Sequence, residues 1–107
     1  MTQKDQKIRE IIRELAAGFF SKESNRQSLI TVTDVELSNK GGKAVILFTV
    51  LPEDKEKEAA EFMGRRLSDF RQHVIDNSRL GRIPYFEVRP DYGEKNRQRI
   101  DDISKKL

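Results

Sequence analysis

Apolar side chains recur at spacings of three and four from residue 4 to 20, at Ile8, Ile11, Ile12, Leu15, Ala16, Phe19 and Phe20. That spacing predicts a helix of about five turns with one apolar stripe and charges on its other face. The stripe is too short for several heptads, so packing on a sheet is expected rather than a coiled coil. From 28 to 38 the chain reads SLITVTDVELS, rich in β-branched residues, which predicts a strand. Its two halves are out of phase: Ile30 and Val32 share one face, Val35 and Leu37 the other. A bulge near Thr33-Asp34 brings both pairs onto one side. The turn SNKGGK follows, then KAVILFTVL (43 to 51), apolar on both faces as a central strand is, and the two strands are expected to form a hairpin.

Pro52 stops the second strand, and EDKEKEAAEFMGRRLSDFRQHVIDN predicts a long helix with acids in its first turns and arginines later. Ala59, Met63, Leu67, Phe70 and Val74 make its buried stripe. Gly64 lies inside that pattern at a cost of about 1 kcal/mol against alanine, so a bend or a close backbone approach is expected there, with a kink near Gly64 or near Ser68 both left open by the sequence. RIPYFEVRP (82 to 90) predicts a third strand at a sheet edge, because Pro84 lacks a donor near its start. EKNRQRIDDISKKL predicts a short closing helix with Ile100, Ile103 and Leu107 as its apolar spots. The order is α-β-β-α-β-α, an α+β fold with a three-stranded sheet and helices packed on it. Residues 1–107 are expected to form a single domain, with 1–5 and 104–107 frayed.

Composition narrows the functions available. Of 107 residues none is cysteine and one is histidine, which excludes disulfides, thiolate sites and multi-histidine metal centres. Glu53, Asp54, Glu56, Glu58 and Glu61 diverge around a solvated helix start, so no metal or cofactor is expected, and no pair of groups makes a nucleophile with its base. No stretch approaches the roughly 20 apolar residues of a membrane span, and MTQKDQKIREIIREL lacks the pattern of a signal peptide; the expected location is the cytoplasm. The net charge of +3 is modest, but eight of eleven arginines lie between residues 65 and 99. A local basic region attracts phosphate even when the total is small.

The hairpin ITVTDVELS–AVILFTVL, the helix end and crossing FRQHVIDNSRLGRIPYFEV, and the segment RIDDI resemble, in order and separation, the ribosome-binding factor A family of bacterial small-subunit assembly factors. The resemblance covers about Ser28 to Ile103. It implies a type II KH-like fold, no catalysis, and binding to small-subunit (30S) precursor rRNA during late maturation, with cold-adaptation roles in many bacteria. The implied partners are the small ribosomal subunit and its rRNA, with no membrane, the chain acting as a monomer. There are departures. No GxxG loop is present, and the family's alanine-any-glycine kink before the helix-end phenylalanine is replaced by Leu67-Ser68-Asp69. ESNRQS lacks the family's aspartate-proline pair, although Arg26 remains, and the basic tail is reduced to Lys105-Lys106.

Candidate RNA-binding residues cluster at the crossing. With Met63 centred on the buried face of an unbroken helix, Arg65 points away from the core, Arg66 and His73 share one flank, and Arg71 takes the other. Helical arginines therefore do not form one stripe. Convergence is expected at the loop, on Arg79 and Arg82, joined by Arg66 and His73 as the matching flank, with Asn77 and Ser78 adding groups able to bond phosphate or 2′-hydroxyl. Competing with this, Asn77 caps the helix and the basic groups answer its dipole. Tyr85 is expected to pack on the sheet, stacking on a base being the alternative, and Lys40 and Lys43 are minor phosphate contacts. Two other functions remain open: a general KH-like nucleic-acid binder, and a protein-interaction module using the first-helix stripe or the doubly apolar strand.

Overall fold

The computed structural model describes residues 3–23 and 28–93, in the order α1 (Gln3–Glu23), β1 (Leu29–Ser38), β2 (Lys43–Leu51), α2 (Glu56–Arg65), α3 (Leu67–Asn77) and β3 (Tyr85–Pro90). The sheet order is β1-β2-β3, so the doubly apolar segment is the central strand. β1 and β2 are antiparallel, as a short turn allows, while β2 and β3 are parallel and need the α2–α3 crossover between them. The expected closing helix over EKNRQRIDDISKKL lies outside the described residues.

The bulge sits where the phase of β1 breaks. Val32 pairs with Phe48 and Asp34 with Leu47, leaving Thr33 as the extra residue. Without it, a one-residue slip would turn half of β1's apolar groups to solvent. With it, Ile30, Val32, Val35 and Leu37 all face the helices, beside Val50, Phe48, Ile46 and Ala44 of β2 and Phe86 and Val88 of β3. The helices contribute Ile12, Ala16 and Phe20 from α1, Ala59 and Met63 from α2, and Phe70 and Val74 from α3, all buried. Each such large side chain contributes roughly 1.5–3 kcal/mol by leaving water. Phe70 is the junction: its ring lies 5.5 Å from Phe19, 5.4 Å from Phe20 and 5.0 Å from Phe86, tying α1, α3 and β3 together.

The other face of the sheet has no helix on it among the described residues. Its rows across the strands are Ser38–Lys43–Tyr85, Glu36–Val45–Glu87 and Asp34–Leu47–Arg89, followed by Thr31–Thr49 and Leu29–Leu51. Tyr85 therefore does not pack as expected. Phe86 and Val88 occupy the covered face, and strand alternation turns Tyr85 out with 67% of its surface exposed.

The long helix is also broken, though not at Gly64. Arg66 leaves helical geometry (φ −97, ψ 1), ending α2 and opening α3. Gly64 is exposed, and a methyl group there would touch nothing, so its small size is not what permits the break. One contact to another helix and one local ion pair hold the Arg66 side chain. Its guanidinium lies 5.9 Å from the Phe19 ring centroid and 3.0 Å from the Asp69 carboxylate in the first turn of α3. The helix thus bends next to Leu67-Ser68-Asp69 without any small residue at the turning point.

Candidate nucleic-acid interface

Two segments meet at one end of the sheet. The first is the β1–β2 turn, where Asn39 (φ 53), Lys40 (φ 55) and Gly41 (φ 82) are left-handed in succession and Gly42 returns to the right-handed region. The sequence leads one to expect the glycines to carry the turn; here Asn39 and Lys40 share it, which projects Lys40 into solvent. The second is the crossing from Ser78 to Pro84. The Tyr85 amide donates to the Gly42 carbonyl at 2.9 Å, stitching the crossing to the turn just ahead of the parallel ladder.

Arg82 is seated at this seam. A methyl group on Gly42 would stand 2.9 Å from its Nη2 atom, so the guanidinium lies over the space a side chain at this position would enter. Lys43 follows at the start of β2, and Arg79 and Arg82 are both exposed on the crossing. Lys40, Lys43 and Arg82 thus come to one rim although the sequence separates them widely.

The remaining candidates divide in two. Arg71 Nη1 donates to the Pro84 carbonyl at 3.0 Å, so the helix flank bonded to the crossing is that of Arg71 and not, as expected, that of Arg66 and His73. Those two gather around α1, the His73 ring 5.3 Å from Phe19. Arg65 lies elsewhere again, lining a cleft with Ser28, Glu58, Glu61 and Phe62. Asn77 and Ser78 close the helix: Asn77 Nδ2 donates to the His73 carbonyl at 2.8 Å and Ser78 Oγ to the Val74 carbonyl at 2.7 Å. The second of these satisfies one of the acceptors the helix end leaves open. The cap falls at Ser78 rather than at Asn77, whose side chain bonds back one turn, and the cations of the crossing stand beyond the negative end of α3.

One charge on the open face is held by the rim. Lys43 Nζ lies 3.1 Å from Glu87 Oε1, and Arg89 Nη2 lies 3.2 Å from Glu87 Oε2. The Lys43 hydrogen bond holds the Glu87 carboxyl below its ordinary value of 4.5, assisted by Arg89. Among the described residues no group of three or more carboxylates and histidines is placed to hold a metal, and no helix is long and apolar enough to cross a membrane.

Comparison with known proteins decides the family. Residues 3–104 match the family model of Ribosome-binding factor A. This chain belongs to the ribosome-binding factor A family. A Ribosome-binding factor A from Kosmotoga olearia is 28% identical over 104 residues, covering 96% of this chain and 83% of the relative. The fold is likewise that of ribosome-binding factor A structures, and the α+β, type II KH-like arrangement expected from sequence is the one observed. The crystal structure of ribosome-binding factor A from Thermus thermophilus superposes with a TM-score of 0.70 at 20% identity, covering 79% of this chain and 92% of that one. The solution structure of a Thermotoga maritima protein, described as a candidate ribosome binding factor A, gives 0.58 at 22% identity, covering 78% and 79%.

Proposed function

We propose that this ribosome-binding factor A family member is a non-catalytic assembly factor that binds small-subunit precursor rRNA late in 30S maturation. It would act as a monomeric single domain in the cytoplasm, holding a precursor conformation while rRNA ends and helices settle, then leaving the mature particle. The observation that supports this reading is the seam, where the Arg82 guanidinium lies against Gly42 in the turn that carries Lys40, with Lys43 next in the chain and Arg79 exposed on the same crossing as Arg82. Cations gathered on one rim engage phosphates rather than base identity, as expected of a factor reading structured rRNA by shape.

The protein-interaction alternative is left with less surface: the α1 stripe packs in the core, Val45 is 5% exposed, and the exposed apolar pair on the open face is Leu29 and Leu51 at its far end. A general KH-like nucleic-acid binder differs in what it travels with. The assembly factor co-sediments with free small subunits in a sucrose gradient, whereas a general binder spreads with bulk RNA and translating ribosomes.

The site is tested with Arg79→Ala combined with Arg82→Ala, titrated against purified small subunits over a range of salt. Each lost phosphate contact lowers the log–log salt slope by roughly 0.7–0.9, so the double variant is expected to lose about 1.5 from the slope. An unchanged affinity and slope would falsify this placement.

A further inference from the structure

We infer that Tyr85 is a stacking platform for one unpaired RNA base, with the flanking phosphates held by Lys43, Lys40 and Arg82. This rests on the reading of the chain as an RNA binder and adds what it binds at this rim: a single-stranded or splayed nucleotide rather than a duplex face.

The argument begins with the uncovered ring. Tyr85 stands at 67% exposure in the outermost row of the open face, beside Lys43 and, one strand further, Ser38. Val45, one row inward on the same face, is only 5% exposed between its register partners Glu36 and Glu87. The face therefore covers its interior valine and leaves the rim aromatic open. Strands lie about 4.8 Å apart, so the Tyr85 ring and the Lys43 ammonium are neighbours, close enough for a base and its own phosphate to meet both.

Charge then limits the ligand to one nucleotide. Inward of Tyr85 the rows carry Glu36, Glu87 and Asp34 against Arg89 alone, a less favourable track for a phosphate chain than the rim. Glu87 is already engaged by Lys43 and Arg89, and that group of three remains net positive. Outward lie Lys40 and Arg82, the latter against Gly42, the residue whose carbonyl the Tyr85 amide binds. The backbone of a bound strand thus has a favourable path along the rim only, and one base can turn inward onto Tyr85. A base in a duplex is paired and stacked and cannot present its face to a side chain.

The 107-residue chain provides a direct probe, since it holds two tyrosines and no tryptophan. In Tyr92→Phe, Tyr85 is the sole tyrosine, and its emission is followed during titration with single-stranded oligouridine and with a blunt RNA duplex. Binding is followed in parallel by anisotropy of the labelled RNA. Oligouridine is expected to quench Tyr85 in step with binding, and the duplex to leave it bright. Tyr85→Ala should weaken oligouridine binding by about tenfold, with Tyr85→Phe near the parent and duplex binding unaltered. Binding of the single strand without quenching, or at full strength in Tyr85→Ala, overturns the platform while the RNA-binding reading stands. A chain that binds neither probe also overturns it; the arginine variant on small subunits judges the broader reading separately.

Discussion

Replacing Gly42 by alanine should move a guanidinium without removing its charge. Ordinary contact starts at 3.4 Å and the new methyl would stand 2.9 Å from Arg82 Nη2, so the Arg82 head must withdraw by about 0.5 Å or swing away. The backbone at Gly42 is right-handed (φ −81, ψ −13), which alanine adopts freely. Its stabilising effect on the unfolded side of the balance, about 0.4–1 kcal/mol, is offset by the 3.1 Å approach to the Asn39 carbonyl. The net change in stability is expected within about 1 kcal/mol of zero. Gly41 supplies the control: a methyl there meets nothing, but its φ of +82 costs an L-residue roughly 1–2 kcal/mol. For a domain of this size each kcal/mol lowers Tm by about 4–8 °C. Circular-dichroism melts should therefore find Gly41→Ala well below wild type and Gly42→Ala near it. Binding to purified small subunits should show the reverse, with Gly42→Ala weakened towards the Arg82→Ala value and Gly41→Ala unaffected where folded. If Gly42→Ala melts below Gly41→Ala, the contact geometry is wrong. If it binds like wild type while Arg82→Ala does not, the position of the guanidinium does not matter.

Phe70→Ala should cost about 3–5 kcal/mol, a large part of the roughly 5–15 typical of a small domain, because the ring joins α1, α3 and β3. Urea unfolding of this variant checks it, and a loss below about 1.5 kcal/mol would show that the cluster is not the structural junction. Glu87 gives a pH signature. Its folded-state carboxyl titrates below the ordinary 4.5, so its contribution is present above that value and is lost as pH falls through the lowered one. The Tm gap between wild type and Glu87→Gln should hold at neutral pH and close in acid; a gap that widens on acidification contradicts the Lys43–Glu87 pair.

Local pattern made much of this architecture legible. The bulge could be read from β1 because Ile30/Val32 and Val35/Leu37 are out of phase and only one extra residue reconciles them. The central place of β2 and the edge place of β3 follow from a doubly apolar run and from Pro84. What the sequence hid depends on contacts between distant residues. Gly64 draws attention as a helix breaker, yet the break falls at Arg66, where Phe19 of another helix and Asp69 hold the side chain. A helical wheel separates Arg71 from Arg66 correctly but cannot tell which flank will meet the crossing; the Pro84 carbonyl decides that. The Arg82–Gly42 contact is invisible in a linear pattern, since nothing near either residue names the other. Tyr85 was within reach of the pattern: if Phe86 and Val88 face the core, Tyr85 faces away from it.

The rim is assembled from two parts of the chain that become neighbours at different stages. Lys40 and Lys43 belong to a hairpin whose strands are adjacent in sequence, whereas Arg79 and Arg82 arrive only when the crossover has closed and β3 lies parallel to β2. Closing that longer loop costs more chain entropy than closing the hairpin. A chain halted with its hairpin formed and β3 unpaired therefore carries half of the basic rim and lacks the Tyr85–Gly42 bond that joins the halves. The full array of cations therefore exists only once β3 has paired with β2.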